Sequence, residues 1–143
     1  MSQLLKISEA ASLALHTMAY LAHFPKQQFT THDIAGVFDV SEAHLSKVLQ
    51  RLSKAGLVKS HRGPKGGFRI GRLPESITLL QIFECMEGRI EPNTCVLDGP
   101  KCREGACLFG GMLEEINQVV IEHLDKTRLC DLKQMFYAEQ SAV

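Results

Sequence analysis

The segment SEAHLSKVLQRLSKAG, residues 41–56, constrains the fold more than any other part of the chain. Ser41 is a residue type that caps a helix, and Gly56 is one that ends it. Between them, apolar residues recur at helical spacing, at Leu45, Val48, Leu49 and Leu52. The pattern predicts a helix with one buried stripe and an opposite polar and basic face.

A second, shorter helix is predicted directly upstream, in TTHDIAGVFDV, residues 30–40. Thr30 and Asp33 have the spacing of a capping box. A three- or four-residue turn through Asp39 then leads into Ser41. Two short helices joined so tightly indicate a helix-turn-helix motif.

In such a motif the second helix lies in the DNA major groove, and residues near its N-terminus reach base edges. His44, Ser46 and Lys47 are therefore candidate base contacts. Arg51, further along, suits a phosphate. From the residues alone, Ser41 is a cap rather than a DNA contact.

The segment LVKSHRGPKGGFRIGR, residues 57–72, predicts a hairpin. Its β-prone runs, 57–61 and 68–70, flank Gly-Pro-Lys-Gly-Gly, which supplies the positive-φ residues of a turn. Arg62, Lys65 and Arg69 make it a candidate wing, with Arg62 in the minor groove. The alternative is a solvated basic hairpin without a ligand. A phosphate-binding P-loop is disfavoured, because Gly-Pro-Lys-Gly-Gly lacks the pattern G-x-x-x-x-G-K-S/T.

Charge divides the chain in two. Residues 1–75 carry ten Lys and Arg against five Asp and Glu, whereas residues 76–143 carry six against eleven. From Ala43 to Pro74 there is no acidic residue, but there are eight basic ones. This basic stretch is typical of a surface that binds a polyanion, and the two halves are expected to face different partners.

In the second half, Thr78 and Gln81 predict another capping box, followed by a helix that Gly88 ends and that packs the Cys85 thiol. A longer helix is predicted from Leu108 to about Thr127, roughly 30 Å at 1.5 Å per residue. Its apolar stripe consists of Met112, Ile116, Val119, Val120 and Leu124. The stripe either packs within the monomer or, as favoured here, pairs with a second chain.

Cys95, Cys102 and Cys107 lie between these helices with the spacing C-x6-C-x4-C. Structural zinc is disfavoured, because there is no C-x2-C pair and no nearby His. Three soft thiolates suit an iron-sulfur cluster with one exchangeable ligand. A cluster-free thiol switch remains open, as does an electron-transfer protein without specific DNA binding, whereas a thiol oxidoreductase enzyme fits poorly without C-x-x-C.

Length and composition favour one domain, divided into residues 1–75 and residues 76–143, with a sensor loop at about 92–108. No apolar run is long enough to span a membrane, and an amphipathic first helix explains ASLALHTMAYLA better than a signal peptide does. Five irregularly spaced cysteines favour a reducing compartment, the cytoplasm.

The chain resembles the IscR/NsrR-type winged-helix regulators from about Ile7 to Leu132. The resemblance is most specific in residues 41–71, in the three-cysteine segment and in the ending LDKTRLCDL. It implies a homodimer that often senses through an iron-sulfur cluster and places its winged domain against the long helix of the partner. It also implies that the recognition helix and a wing Arg, here Arg62, read DNA, and that Ser41 can contact DNA.

The cluster ligands implied by the resemblance are Cys95, Cys102 and Cys107. Relatives commonly show C-x5-C-x5-C, whereas here the middle cysteine is moved by one place. The fourth ligand does not carry over, because IscR-like relatives have a His where this chain has residues 108–110, and NsrR-like relatives have an Asp where it has Ser12. The substitutes left open for the fourth ligand are a small thiol and the carboxylates of Glu9, Asp98 and Glu104.

Taken together, the sequence predicts a mostly α fold. It consists of a winged helix-turn-helix with a two-stranded β wing, followed by a long C-terminal dimerisation helix. The predicted function is a cytoplasmic homodimeric transcriptional regulator, not an enzyme. Its affinity for a pseudo-palindromic double-stranded DNA operator would be set by a [2Fe-2S] or [4Fe-4S] cluster.

Overall fold

The computed structural model describes residues 7–90, 103, 106–132 and 135–136. Within these residues, three helices lead into a two-stranded sheet, and two further helices follow it. The elements in chain order are α1 (Glu9–His23), α2 (Thr31–Phe38), α3 (Glu42–Lys54), β1 (Val58–His61), β2 (Gly67–Ile70), α4 (Leu79–Glu87) and α5 (Met112–Lys126). Short 3-10 turns cover Pro74–Ser76 and Leu129–Leu132. The mostly α fold class predicted from the sequence is confirmed.

The first four helices begin where a side chain satisfies a free backbone N–H group. The Thr30 hydroxyl accepts from the Asp33 N–H at 3.1 Å, and the Asp33 carboxylate accepts from the Thr30 N–H at 2.9 Å. Thr78 and Gln81 form the same reciprocal pair at the start of α4. Both predicted capping boxes are therefore confirmed, and each fixes the residue at which its helix starts.

The wing, defined as β1, β2 and the turn between them, is an antiparallel hairpin that pairs Val58 with Ile70 and His61 with Gly67. Phe29, which precedes α2, extends the sheet by exchanging two backbone hydrogen bonds with Phe68, at 2.9 and 2.7 Å. A Cβ atom at Gly67 would lie 2.7 Å from the Phe29 carbonyl oxygen. Only glycine therefore allows this close approach of the wing to the helical domain.

The core joins α1, α3 and α4. Its largest fully buried apolar side chains are Met18, Leu21, Ile34, Leu45, Leu49, Leu52, Ile77 and Ile82. Leu129, from the segment after α5, belongs to the same cluster. Because residues on both sides of position 75 share this core, removal of apolar surface from water stabilises both sides together. The boundary placed at residue 75 remains a prediction.

The helix predicted from Leu108 begins four residues later, at Met112, and ends at Lys126. Residues 108–111 form turns, and Gly110 has a left-handed backbone with φ 58°. In these turns the Gly110 N–H donates to the Cys107 carbonyl, and the Met112 N–H donates to the Phe109 carbonyl. This backbone interrupts the helical pattern that Leu108 and Met112 share. At 1.5 Å per residue, α5 is therefore about 22 Å long rather than about 30 Å.

None of the described helices has both the length and the apolar character needed to cross a membrane.

Candidate nucleic-acid interface and cysteine segment

The turn between α2 and α3 is as tight as the sequence predicted. Asp39 adopts a left-handed conformation, φ 51° and ψ 51°, directly after the last residue of α2. The Val40 N–H donates to the Ala35 carbonyl at 3.1 Å, and the Ser41 hydroxyl then accepts from the His44 N–H at 3.1 Å. The chain therefore changes direction within two residues and starts α3 with a capped first turn, which makes a helix-turn-helix.

Helix α3 has a buried face and a solvent face. Its four buried residues are the predicted stripe: Leu45, Val48, Leu49 and Leu52. Lys47, Gln50 and Arg51 are exposed, while His44 and Ser46 are half-buried. The predicted DNA contacts on this helix thus lie outside the core, and they follow the capped N-terminus that such helices direct into the major groove.

Arg51 also makes a contact within the molecule. Its Nη1 donates to the Met86 carbonyl oxygen at 3.0 Å, and the Cys85 Sγ lies 3.6 Å from the Arg51 carbonyl oxygen. The two contacts tie the second half of α3 to the end of α4. Cys85 is half-buried against the core, and burial raises its pKa above the usual value for a thiol, although the charge of Arg51 acts in the opposite direction.

The wing carries basic side chains at its exposed tip. Arg62 directly follows β1, and Lys65 lies in the turn; both are exposed. Arg69, on β2, is half-buried and pairs across the hairpin with Lys59. Gly63, beside Arg62, has φ 114°. A glycine suits this conformation, which lets the chain turn immediately after Arg62.

An ion pair joins the N-terminal ends of α2 and α3. His32 Nδ1 lies 2.6 Å from Glu42 Oε1, and both side chains are largely exposed, at 83% and 56%. The hydrogen bond to Glu42 raises the pKa of His32, and the negative charge of Glu42 adds to this effect. Sequence reasoning missed the pair, because contact between residues ten positions apart depends on the turn geometry.

Only one of the three predicted cluster ligands lies among the described residues. Cys107 is an exposed free thiol just before the turns that lead into α5, while Cys95 and Cys102 fall outside the described residues. Within residues 7–90, 103, 106–132 and 135–136, no group of three His, Cys, Asp or Glu side chains could hold a metal ion. The assignment of the cluster ligands therefore remains a prediction.

Helix α5 leaves its predicted apolar stripe largely uncovered. All fifteen residues of α5 are described, and none is buried. Met112, Ile116 and Val119 are 44%, 38% and 67% exposed, while Val120 and Leu124 are half-buried. The helix packs mainly against α4. An amphipathic helix with this much exposed apolar surface is typical of an interface.

Comparison with known proteins identifies the family. Residues 7–135 match the model of the Rrf2 family, described as an iron-dependent transcriptional regulator. The chain belongs to the Rrf2 family. The Rrf2 chain is also 30% identical over 139 residues to the HTH-type transcriptional regulator NsrR of Halalkalibacterium halodurans, with 90% of each chain covered. The family is one of regulators, and no catalytic family is indicated.

Solved structures of similar proteins support the fold of this Rrf2 chain. CymR of B. subtilis, the global cysteine regulator, has a TM-score of 0.80 at 32% identity over 94% of this chain and 100% of its own. The oxidized form of Staphylococcus aureus CymR has a TM-score of 0.73 at 25% identity, with 94% and 100% covered. T. potens IscR has a TM-score of 0.71 at 28% identity, with 97% and 92% covered. The winged-helix architecture and the resemblance to IscR and NsrR are thereby confirmed.

Proposed function

We propose that this Rrf2 regulator acts in the cytoplasm as a homodimer that binds a pseudo-palindromic operator. The observation that carries the proposal is the position of the acid-free segment 43–74, which forms most of α3 and the whole wing. A capped helix and a basic hairpin tip within one small domain provide the two contacts that a winged helix makes with duplex DNA. Lys and Arg side chains there would neutralise phosphates and release counterions.

Each DNA contact then has a chemical role. His44, Ser46 and Lys47 follow the capped end of α3 and would meet base edges, with Ser41 at the entry to the groove. Arg62 would enter the minor groove, where the negative potential is strongest. Lys65 and Arg69 would contact phosphates, and so would Arg51, through the guanidinium N–H groups not used by Met86.

Substitution of Arg62 tests this assignment. Arg62→Ala should weaken operator binding by about 1–3 kcal/mol and leave binding to random DNA much less changed, because a groove contact is sequence-dependent. Lys65→Ala is the matched control: it should weaken both equally and reduce the salt slope by about one. If Arg62→Ala lowers the affinity for operator and for random DNA equally, Arg62 does not recognise the operator sequence.

Dimerisation is proposed through the apolar stripe of α5. In a two-fold-symmetric dimer the same stripe on each chain would cover the other, which would bury the exposed Met112, Ile116 and Val119 side chains. Such pairing would also set the distance between the two recognition helices and hence the half-site spacing. Glu114, Glu115 and Glu122 lie on exposed positions of the helix and would remain in solvent.

We infer that an iron-sulfur cluster held by Cys95, Cys102 and Cys107 sets operator affinity. The donor set fits, because three thiolates within thirteen residues are soft ligands for iron, and the described member, Cys107, is free and exposed. The family description, iron-dependent, agrees with it. A bound cluster would supply a group whose loss or modification by oxidant or nitric oxide changes the charge and order of the cysteine segment.

The test of the cluster is the visible absorption spectrum of protein purified under nitrogen, with iron and acid-labile sulfide measured per chain. Brown protein with matched iron and sulfide supports the cluster, and replacement of the three cysteines by alanine should then abolish both the colour and the response of operator binding to oxidant. Colourless protein after attempted reconstitution, or an unchanged response in the triple variant, would overturn it.

A cluster-free thiol switch is the second candidate. It is supported by the similarity to a structure of CymR in an oxidized form and by the exposed free thiol of Cys107. This alternative keeps operator binding but predicts colourless protein and an oxidant-dependent disulfide. Mass spectrometry of the alkylated protein, before and after oxidation, separates the two mechanisms.

A further inference from the structure

The chain that follows α5 is fastened to the segment just after the wing. The Leu79 N–H donates to the Thr127 carbonyl at 3.0 Å, and the Leu129 N–H donates to the Ile77 carbonyl at 3.0 Å. Arg128 Nη1 donates to the Glu75 carbonyl at 2.7 Å. These three hydrogen bonds couple the end of α5 to residues 75–79, which lie five to nine residues after β2.

Described residues after α5 also pack against the helical core. Leu129 is buried in the core, and the turn Leu129–Leu132 packs against α1. Phe136 packs against the same core cluster. Phe136, which follows α5 in the chain, thus packs against the same core as α1 and α3.

Phe136 joins a cluster of aromatic rings between α1 and α2. Its ring centroid lies 5.5 Å from that of Tyr20, with the planes at 89°, and 6.3 Å from that of Phe38. It also lies 6.1 Å from the ring of His23. The near-perpendicular arrangement directs ring edges at ring faces, which is a specific geometry that an aliphatic side chain does not reproduce.

Phe38 occupies a sensitive position in this cluster. It is the last residue of α2, and Asp39 and Val40 alone separate it from the Ser41 cap of α3. Tyr20 holds Phe38 from α1, with ring centroids 6.0 Å apart, and Phe136 contacts both. Phe136 therefore contacts the residue at which α2 ends and the turn into α3 begins.

We propose that Phe136 is a positioning residue for operator binding, which acts through Phe38 on the orientation of α3 and links the end of α5 to the helix-turn-helix. It touches no DNA itself. Since well-packed interiors respond to a lost ring by shifting their neighbours, a smaller side chain at 136 should loosen the capped first turn of α3 within a folded protein. The inference rests on the proposed operator binding. It does not depend on whether an iron-sulfur cluster is bound.

The test compares Phe136→Leu with the control Phe24→Leu. Phe24 belongs to the same cluster, 5.2 Å from the Tyr20 ring, and among the described residues its other ring contacts are His23 and Phe29. Both variants should lower Tm. Only Phe136→Leu should weaken operator binding, by about 2–30-fold relative to random DNA at the same salt. Equal operator-to-random ratios in the two variants would overturn the proposal.

A double-mutant cycle locates the route. If Phe136 acts through Phe38, the combined Phe38→Leu and Phe136→Leu changes in operator preference should be smaller than the sum of the single changes, whereas independent residues would give additive changes. Additivity would contradict the route.

Hydrogen exchange on the DNA-free protein separates this inference from the proposed function. The His44 amide, which donates to the Ser41 cap, should exchange faster in Phe136→Leu and unchanged in Phe24→Leu. Unchanged exchange in both would refute the positioning role. A wild-type protein without operator preference would instead refute the proposed function and leave this result intact.

Discussion

Residues 7–90 and helix α5 use their apolar side chains in opposite ways. The first region buries most of its large aliphatic residues, including Leu45, Leu49 and Ile82, in one shared core, although Leu73 is 73% exposed. Helix α5 is also amphipathic, yet none of its residues is buried, and Val119 is 67% exposed. The helical core is therefore closed within one chain, whereas α5 has an apolar surface that lacks a partner within the described part of the chain.

The largest effect should follow from a charge placed on the uncovered stripe. Val119→Glu should convert a dimer to monomer, because a carboxylate would be buried unpaired at the interface. Operator binding should weaken by about 10²–10⁴-fold, since each half-site would then bind without its tethered neighbour. Sedimentation velocity and operator titration measure the two effects. Gln118→Glu adds the same charge at a neighbouring exposed position. It loses the hydrogen bond from Gln118 Nε2 to Glu122 at 2.8 Å and should lower the stability of α5 slightly, but it should change neither dimerisation nor operator binding.

Removal of apolar volume should distinguish the two regions next. Leu49→Ala, at a fully buried position, should lower the free energy of unfolding by about 2–5 kcal/mol. Ile116→Ala should lower it less, and by an amount that depends on protein concentration, because Ile116 is buried only when a second chain covers it. Denaturant unfolding at two protein concentrations measures both. A concentration-independent loss at Ile116 would argue against the dimer interface.

The fold was predictable where short-range chemistry determines structure. The Thr30 and Thr78 capping boxes and the Gly-rich wing turn depend on residues within a few positions of one another, and each is found where the sequence indicated. The start of α5 was misjudged because Leu108 continues the apolar period. The positive φ of Gly110, which ends that continuity, follows from backbone conformation that periodicity does not detect.

The candidate site was predictable only in part, because much of it depends on long-range contacts. The basic residues of α3 and the wing are recognisable from the acid-free segment. The bond from Arg51 to the Met86 carbonyl and the contact of Phe136 with Phe38 join residues 35 and 98 positions apart, and no local pattern marks them. Such contacts follow from the packing of α4 and of the segment after α5.

A cap substitution should give a smaller effect and separate stability from DNA contact within the first region. Ser41→Ala and Thr78→Ala each remove a hydroxyl that accepts a backbone N–H, so each should cost about 0.5–2 kcal/mol of unfolding free energy. Only Ser41→Ala should also weaken operator binding beyond the effect of stability, because Ser41 begins the recognition helix. Equal operator affinities for the two variants, measured on fully folded protein, would mean that Ser41 caps α3 and does not contact DNA.

The smallest expected effect concerns the exposed pair of His32 and Glu42. The hydrogen bond to Glu42 and its charge raise the pKa of His32 above 6.5, and Asp33 adds to the shift. Because the folded-state pKa is the higher one, the stabilisation is fully present below about pH 6.5 and is lost as pH rises through the folded-state pKa. An NMR titration should show the His32 pKa return toward 6.5 in Glu42→Gln, and an unchanged value would contradict the pair.

The same titration tests whether the helix-turn-helix depends on a second chain. The pair joins α2 to α3 within one chain, and its geometry requires no contact from α5. The raised pKa of His32 should therefore persist in the Val119→Glu monomer, if the helix-turn-helix is organised by its own core. A His32 pKa that returns to 6.5 in that monomer would mean that the contact between chains holds the turn in place, and that the first region is not complete by itself.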